Sequence, residues 1–243
     1  MWGIIPAAGH GSRIQPLAFS KELLPVGSRF DGHTERPRAV SEYIIERMLI
    51  GGVDKICFVI APGKSDILEY YGAKVDGADL CYVVQSQAAG LCDALFRALP
   101  LIRPNEEVVI GLPDTIWFPA GALLALPRDE FSFLLFPVQR PELFDAVITD
   151  DRDRVVEVQV KSDKASSNWV WGAFKLSGVV LTRLFNIWSE RGGTDAYIGT
   201  LVNAYIHAGG KATAARAGEA YVDVGTLHGY REAMRLLKES MTE

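Results

Sequence analysis

The stretch IIPAAGHGSRIQPLAFSKELLPVG, Ile4 to Gly27, sets Gly9, Gly11, Arg13 and Lys21 close behind an apolar run. Small residues at positions 7, 8, 9 and 11 keep side chains off the backbone, so a ligand can approach the N–H groups directly. Arg13 and Lys21 add a forked and a compact cation to the same spot, which suits phosphate oxygens. The same residues also read as a strand-to-turn glycine pair with two solvated cations. Two familiar phosphate loops do not fit. In GxGxxG counted from Gly9 the third glycine falls on Ile14, and no GK[ST] follows at P-loop spacing. A second feature lies in VVIGLPDTIW (108–117), where Asp114 stands just beyond an apolar run. Ligands of open α/β sheets collect at the carboxyl ends of strands. A carboxylate there suits Mg²⁺, which prefers oxygen ligands and bridges to substrate phosphates. An Asp in that place also caps a helix.

These residues need a scaffold, and the chain predicts one. Strand-like runs recur at WGIIPAA, KICFVIA (55–61), LCYVVQ (80–85), EVVIGL (107–112) and FSFLLFPV (131–138). Between them Leu91, Ala94, Leu95, Ala98 and Leu99 keep helical spacing, and Ile44, Ile45, Met48 and Leu49 form another stripe. Strands apolar on both faces and alternating with helices predict a mostly parallel sheet covered on both sides. DAVITDDRDRVVEVQVKSD (145–163) reads as a hairpin turning at Asp150 to Asp153, and NWVWGAFKLS (168–177) as a further strand. GSRFDGHTERPR (27–38) reads as a surface excursion. Helices follow around Leu181–Trp188, Ile198–Tyr205 and Leu227–Leu237, with short strands in KATAARAGEAYVDVGT. With 243 residues and no dividing linker, one domain is expected. Within it a front half of nucleotide-binding type (1–115), a mixed back half (116–226) and a C-terminal helix (227–243) are expected.

Composition narrows the partners. Hydrophobic residues make up 49% and charged residues 23%, so the chain is globular. A net charge of −5 without a basic block argues against nucleic acid or an anionic membrane. Cys57, Cys81 and Cys92 form no CxxC and the four histidines are scattered, which leaves free thiols and no zinc site. Without a basic leader or a span-length apolar segment, a cytoplasmic protein is expected.

The opening stretch resembles the signature of the sugar-nucleotide pyrophosphorylases, the sugar-1-phosphate nucleotidyltransferases. Their pattern, A-G-x-G-[ST]-R-x-x-P followed by K-x-[LM]-L-P, is matched by Ala8, Gly9, Gly11, Ser12, Arg13, Pro16, Lys21, Leu24 and Pro25. Later landmarks arrive in order along nearly the whole chain, with glucose-1-phosphate thymidylyl- and uridylyltransferases the nearest in look. The resemblance implies a three-layer α/β/α Rossmann-like fold with a mixed, mostly parallel sheet and a small β-hairpin subregion. It implies Mg²⁺-dependent transfer of a nucleotidyl group from a nucleoside triphosphate, dTTP or UTP, to a sugar-1-phosphate, with release of pyrophosphate. Ala8, Gly9, Gly11 and Ser12 would bind the triphosphate, Gln85 and Gly90 the base, and Asp114 with Asp223 of D-x-G-T the metal. Arg13 and Lys21 would offset phosphate charge, and Lys161 would hold the acceptor phosphate.

The acceptor side departs from the pattern. Where the family carries E-K-P, Val160, Lys161 and Ser162 stand here, and a glycine that lies against sugar is replaced by Asp145. Asn168 and Trp169 complete the expected sugar-binding set with Asp145 and Lys161. Alternatives therefore stand beside the main reading. They are cytidylyl transfer to another phosphorylated small molecule, and a nucleotide-binding homologue without catalysis. The D-x-D letters at 150–153 read better as a solvated hairpin corner than as a glycosyltransferase metal motif. Such families commonly form dimers or tetramers, so a homo-oligomer is compatible with the resemblance.

Overall fold

A computed structural model describes residues 1–240. The elements run β1 (Trp2–Pro6), β2 (Pro25–Phe30), β3 (Glu35–Ala39), α1 (Val40–Ile50), β4 (Lys55–Ile60), α2 (Ser65–Tyr71), β5 (Lys74–Val75), β6 (Ala78–Val84) and α3 (Gly90–Arg97). They continue with β7 (Glu107–Gly111), β8 (Thr115–Phe118), β9 (Ser132–Pro137), β10 (Asp145–Thr149), β11 (Val155–Val160) and β12 (Trp169–Ser177). The chain then forms α4 (Gly178–Glu190), α5 (Ile198–His207), β13 (Thr213–Ala215), β14 (Ala220–Asp223) and α6 (Leu227–Ser240). The last three positions of the expected C-terminal helix, 241–243, lie outside the described residues. Among the described residues, no helix is long and apolar enough to cross a membrane.

One sheet runs β11-β10-β12-β7-β1-β4-β6-β5, with β9 on β12 and β13 on β9. The pairs β7–β1, β1–β4 and β4–β6 are parallel, whereas β12 is antiparallel to β7, β9 and β10. The parallel half is apolar on both faces because both are covered. Along β1, Ile4 packs with α3, α4 and α5, while its neighbour Ile5 packs with α1 and α2. Cys57 and Phe58 of β4 divide in the same way, as alternation along a strand requires. The three-layer α/β/α expectation holds.

A third, smaller core joins distant parts of the chain. Val26 of β2, Val40 and Tyr43 of α1, Ile116 of β8, Val224 just after β14 and Ala233 of α6 pack together. The expected surface excursion is thus a hairpin, β2–β3, whose base is buried and whose turn is tied by Asp31 accepting from the His33 and Thr34 amides at 3.0 Å. Arg47 fastens α1 to β8, donating to the Trp117 carbonyl at 2.9 Å. The β8–β14 ladder sets Asp223 opposite Thr115.

Candidate active site

The glycine turn leaves β1 at its carboxyl end, anchored by the Ala7 amide on the Val59 carbonyl at 2.7 Å. Ala7 and Ala8 are buried, and Gly9 borders open space where an added Cβ would meet nothing within 4 Å. Gly11 is required for another reason. Its φ is +64°, and an added Cβ would fall 2.5 Å from Lys21 Cδ. The lysine stem thus runs tightly beneath the turn, in a conformation only glycine adopts freely. Ser12 and Arg13 sit exposed on the turn itself.

Asp114 and Asp223 come to the same place. Lys21 Nζ donates to Asp114 Oδ2 at 2.5 Å, and Arg13 Nη2 lies 3.3 Å from Asp223 Oδ2. The Val224 amide bonds the Asp114 carbonyl at 2.8 Å, and the Gly225 amide holds Asp223 Oδ1 at 2.7 Å. An added Cβ on Gly225 would lie 2.8 Å from Asp223 Oδ1, 3.1 Å from Asp114 Oδ2 and 3.2 Å from Arg13 Nη2. That one glycine therefore marks a space on which two carboxylates and a guanidinium converge.

The electrostatics are those of a crowded site. Burial, then the neighbouring Asp114 carboxylate, raises the pKa of Asp223 above its ordinary value. Burial works against the Lys21 charge, but Asp114, with Glu22 and Asp223 behind it, outweighs that and raises its pKa. Tyr221, in the wall, is pushed well above its ordinary range by burial and then by Asp223 and Asp114, so it stays neutral. Two hard oxygen donors without a third protein carboxylate fit Mg²⁺, which keeps waters and substrate phosphates in its shell. Among the described residues no group of three or more His, Cys, Asp or Glu side chains is positioned to hold a metal.

Two hollows open from this point. The larger, about 370 Å³, is lined by Arg13, Asp114, Asp223, Asp145, Lys161 and Trp171 among others. Lys161 Nζ lies over the Tyr197 ring at 4.9 Å. Trp171 Nε1 donates to Asp145 Oδ2 at 3.4 Å, while Asp145 Oδ1 is buried with no hydrogen-bond partner among the described residues. Burial raises the pKa of this carboxyl. Asp145 is the direct cross-strand partner of Val160. Val160 packs on Gly199 of α5. The carboxylate missing at 160 is thus matched by one on the neighbouring strand.

The smaller hollow, about 270 Å³, is lined by Pro6, Ala8, Gly9, Gln85, Ala88, Gly90, Leu91 and Ala94. It shares Gly90 and Leu91 with the larger one. Gln85 is buried, and its Nε2 donates to Asp93 Oδ2 at 2.7 Å and to the Gly90 carbonyl at 3.1 Å. Asp93 is in turn held by Arg97 at 2.9 Å. A carboxylate only accepts, so Asp93 fixes which way the amide faces and leaves the Gln85 oxygen for a ligand.

Gly90 has φ +87°, and an added Cβ would fall 2.7 Å from Ala196 Cα and 2.8 Å from its carbonyl oxygen. Gly90→Ala is therefore expected to cost about 1–3 kcal/mol in backbone strain alone. Thermal denaturation should show a lowered midpoint, and nucleotide titration a weakened affinity. A variant as stable and as tight as the parent would contradict this account of Gly90.

Of the residues expected from sequence, Ala8, Gly9, Gln85 and Gly90 gather at one hollow, and Arg13, Asp114, Asp145, Lys161 and Asp223 at the other. Lys21 joins the second group through Asp114, with Gly11 packed against its stem. Asn168 and Trp169 are not brought there. They border a separate shallow groove with Ser166, Thr149 and Arg216, and Arg216 lies over the Trp169 ring at 5.7 Å. Strand alternation gives Trp169 and Trp171 the same face, but Trp169 stands about 7 Å nearer the start of β12. The lining residues missed from sequence are Tyr221, Asp93 and Gly225, while Trp171 reads from sequence, like Trp169, as either a sugar-facing ring or core. Gly225 lies inside the D-x-G-T motif, whereas Asp93 carries no local signal of burial.

A glycine turn at the carboxyl end of β1, with Asp114 just beyond the neighbouring β7, lies where open α/β sheets bind their ligands. The Nucleotidyl transferase family profile matches residues 2–240, and the chain belongs to that family. A glucose-1-phosphate thymidylyltransferase of Neisseria meningitidis is 27% identical over 70% of this chain, a match spanning 58% of its own length. A UTP–glucose-1-phosphate uridylyltransferase of Haloferax volcanii is 23% identical over 100% of this chain and 99% of its own. The fold is shared with a Bacillus anthracis protein described as a glucose-1-phosphate thymidylyltransferase, solved with sucrose. The TM-score is 0.81 and the identity 22%, over 96% of this chain and 94% of that one. A UTP-bound UGPase from Acinetobacter baumannii superposes with a TM-score of 0.77 at 18% identity, over 97% of this chain and 92% of that one.

Proposed function

We propose that the chain transfers a uridylyl or thymidylyl group from UTP or dTTP to a sugar-1-phosphate. An oxygen of the acceptor phosphate attacks the α-phosphorus, and the bond from that phosphorus to the bridging oxygen of the β-phosphate breaks, releasing pyrophosphate. A phosphate monoester is already anionic at neutral pH, so no general base is needed. The obstacle is charge, and catalysis rests on positioning and neutralisation.

The convergence of Asp114, Asp223, Arg13 and Lys21 at the mouth of the glycine turn carries this reading. The turn holds the triphosphate, with Arg13 against the leaving phosphates and Lys21 near the reacting ones. Asp114 and Asp223 would hold Mg²⁺, which when bound supplies positive charge at the reacting phosphates. Lys161 holds the acceptor phosphate. Asp145, with Oδ1 unpartnered, accepts from sugar hydroxyls in place of the absent glutamate at 160. Base choice follows from Gln85. Its available oxygen accepts from the N3–H of uracil or thymine, whereas cytosine presents an acceptor at N3 and is disfavoured.

A pyrophosphate-release assay with Mg²⁺, glucose-1-phosphate and each of UTP, dTTP and CTP tests this. Release with UTP or dTTP is expected, with kcat/KM for CTP lower by about tenfold or more, the worth of one unpaired polar contact. No release with any of several sugar phosphates, alongside measurable nucleotide binding, would replace the transferase with a non-catalytic nucleotide-binding protein.

A further inference from the structure

Lys64 has so far had no part in the chemistry. It closes the turn after β4, and its ammonium is largely buried, with 12% of the side chain exposed. Nζ donates to the Ala7 carbonyl at 2.7 Å, to the Gly9 carbonyl at 2.7 Å and to both oxygens of Glu22 at 2.8 Å. The Glu22 side chain is wholly buried, next in sequence to Lys21. Its own carbonyl accepts from Ser41 Oγ at 2.6 Å, and that hydroxyl also meets the Tyr71 phenol at 2.6 Å. A hydrogen-bonded strut, buried at Glu22 and Ser41, therefore reaches from α1 and α2 to the underside of the glycine turn.

The consequence for the turn follows from peptide geometry. In a trans peptide the C=O and the following N–H point in opposite directions. With the Ala7 and Gly9 carbonyls both drawn to one ammonium, the Ala8 and His10 amides face the other way. Gly9 itself borders open space, with nothing within 4 Å of an added Cβ. Lys64 and Glu22 cancel in charge, so what the pair contributes is direction.

We infer that Lys64, seated on Glu22, is a positioning residue that aims the amides of the glycine turn at the triphosphate. The inference rests on the proposed function, since it assumes that phosphate occupies the turn. It adds a residue that never touches substrate and that governs one substrate only. Triphosphate affinity should depend on Lys64, while acceptor affinity should not.

The test compares the parent with Lys64→Met and with the double variant Glu22→Met/Lys64→Met. The single variant strands a buried carboxylate and is expected to lose stability. The double variant removes both charges together, so no buried ion is left uncompensated, and only the Ala7 and Gly9 carbonyls lose a donor. Steady-state kinetics with UTP and dTTP, and calorimetric titration of the same nucleotides with Mg²⁺, give the readout. A folded double variant should show KM and dissociation constant for the triphosphate raised tenfold or more, with KM for the sugar phosphate within about twofold. Parent-like triphosphate affinity in the folded double variant would overturn the inference, as would an equal rise in both Michaelis constants. A parent enzyme that binds neither nucleotide would instead overturn the proposed function itself.

Discussion

Asp114→Asn should lower turnover by about 10²–10³, the loss seen when one preorganised charge-stabilising group is removed from an active site, equivalent to about 2.7–4 kcal/mol in the barrier. The substitution keeps shape and removes charge. The backbone tie from Val224 to the Asp114 carbonyl does not involve the side chain, so the β8–β14 region should stay in place. What changes is the partner of Lys21, whose ammonium lies 2.5 Å from Oδ2 and is itself mostly buried. Weakening that charged hydrogen bond is expected to cost about 1–3 kcal/mol. That translates into a fall of a few degrees in the thermal midpoint for a chain of this size. The Mg²⁺ concentration for half-maximal activity should rise in parallel. A variant with parent turnover and parent metal dependence would remove Asp114 from the site.

Gly225→Ala should be nearly as damaging to activity while sparing the fold. The methyl group would enter the space between Asp223 Oδ1 and Asp114 Oδ2, 2.8 and 3.1 Å away, with Arg13 Nη2 at 3.2 Å. All three are ends of side chains and can give way, so the protein still folds. Giving way, however, spreads the groups that have to act together. Displacements near 1 Å in such a site cost about 10² in rate. A glycine two residues into α6 offers a contrast. A Cβ on Gly229 would fall 1.8 Å from the Asp223 carbonyl, which is backbone and cannot yield cheaply. Steady-state rates and a melting curve for Gly225→Ala check the claim. Parent activity would mean that no catalytic group uses that space.

The parallel half of the fold was legible because β1, β4, β6 and β7 are apolar on both faces and the helices between them keep helical spacing. β8 and β14 were less so. They are four residues each, and their pairing joins segments more than a hundred positions apart. Local pattern cannot register such a partner, and only the family signature suggested that Asp114 and Asp223 meet. The β2–β3 hairpin looked like a loop because its exposed half is charged, while Val26 at its base is buried by α1 and α6. Glu22 and Lys64 carry no signal in the local pattern for a related reason: their burial is created by the turn they support. Trp169 and Trp171 are indistinguishable by alternation, and which one reaches the cleft depends on where the strand begins.

The small core shared by β2, α1, β8 and α6 has a bearing on how the protein matures. Asp223 lies 210 positions beyond the Arg13 it meets, and α6 packs against its neighbour Val224. A nascent chain that has reached only the glycine turn thus carries Arg13 and Lys21 without their carboxylate partners. Under the proposed function, a fragment cut short before β14 should fold in part and turn over no triphosphate.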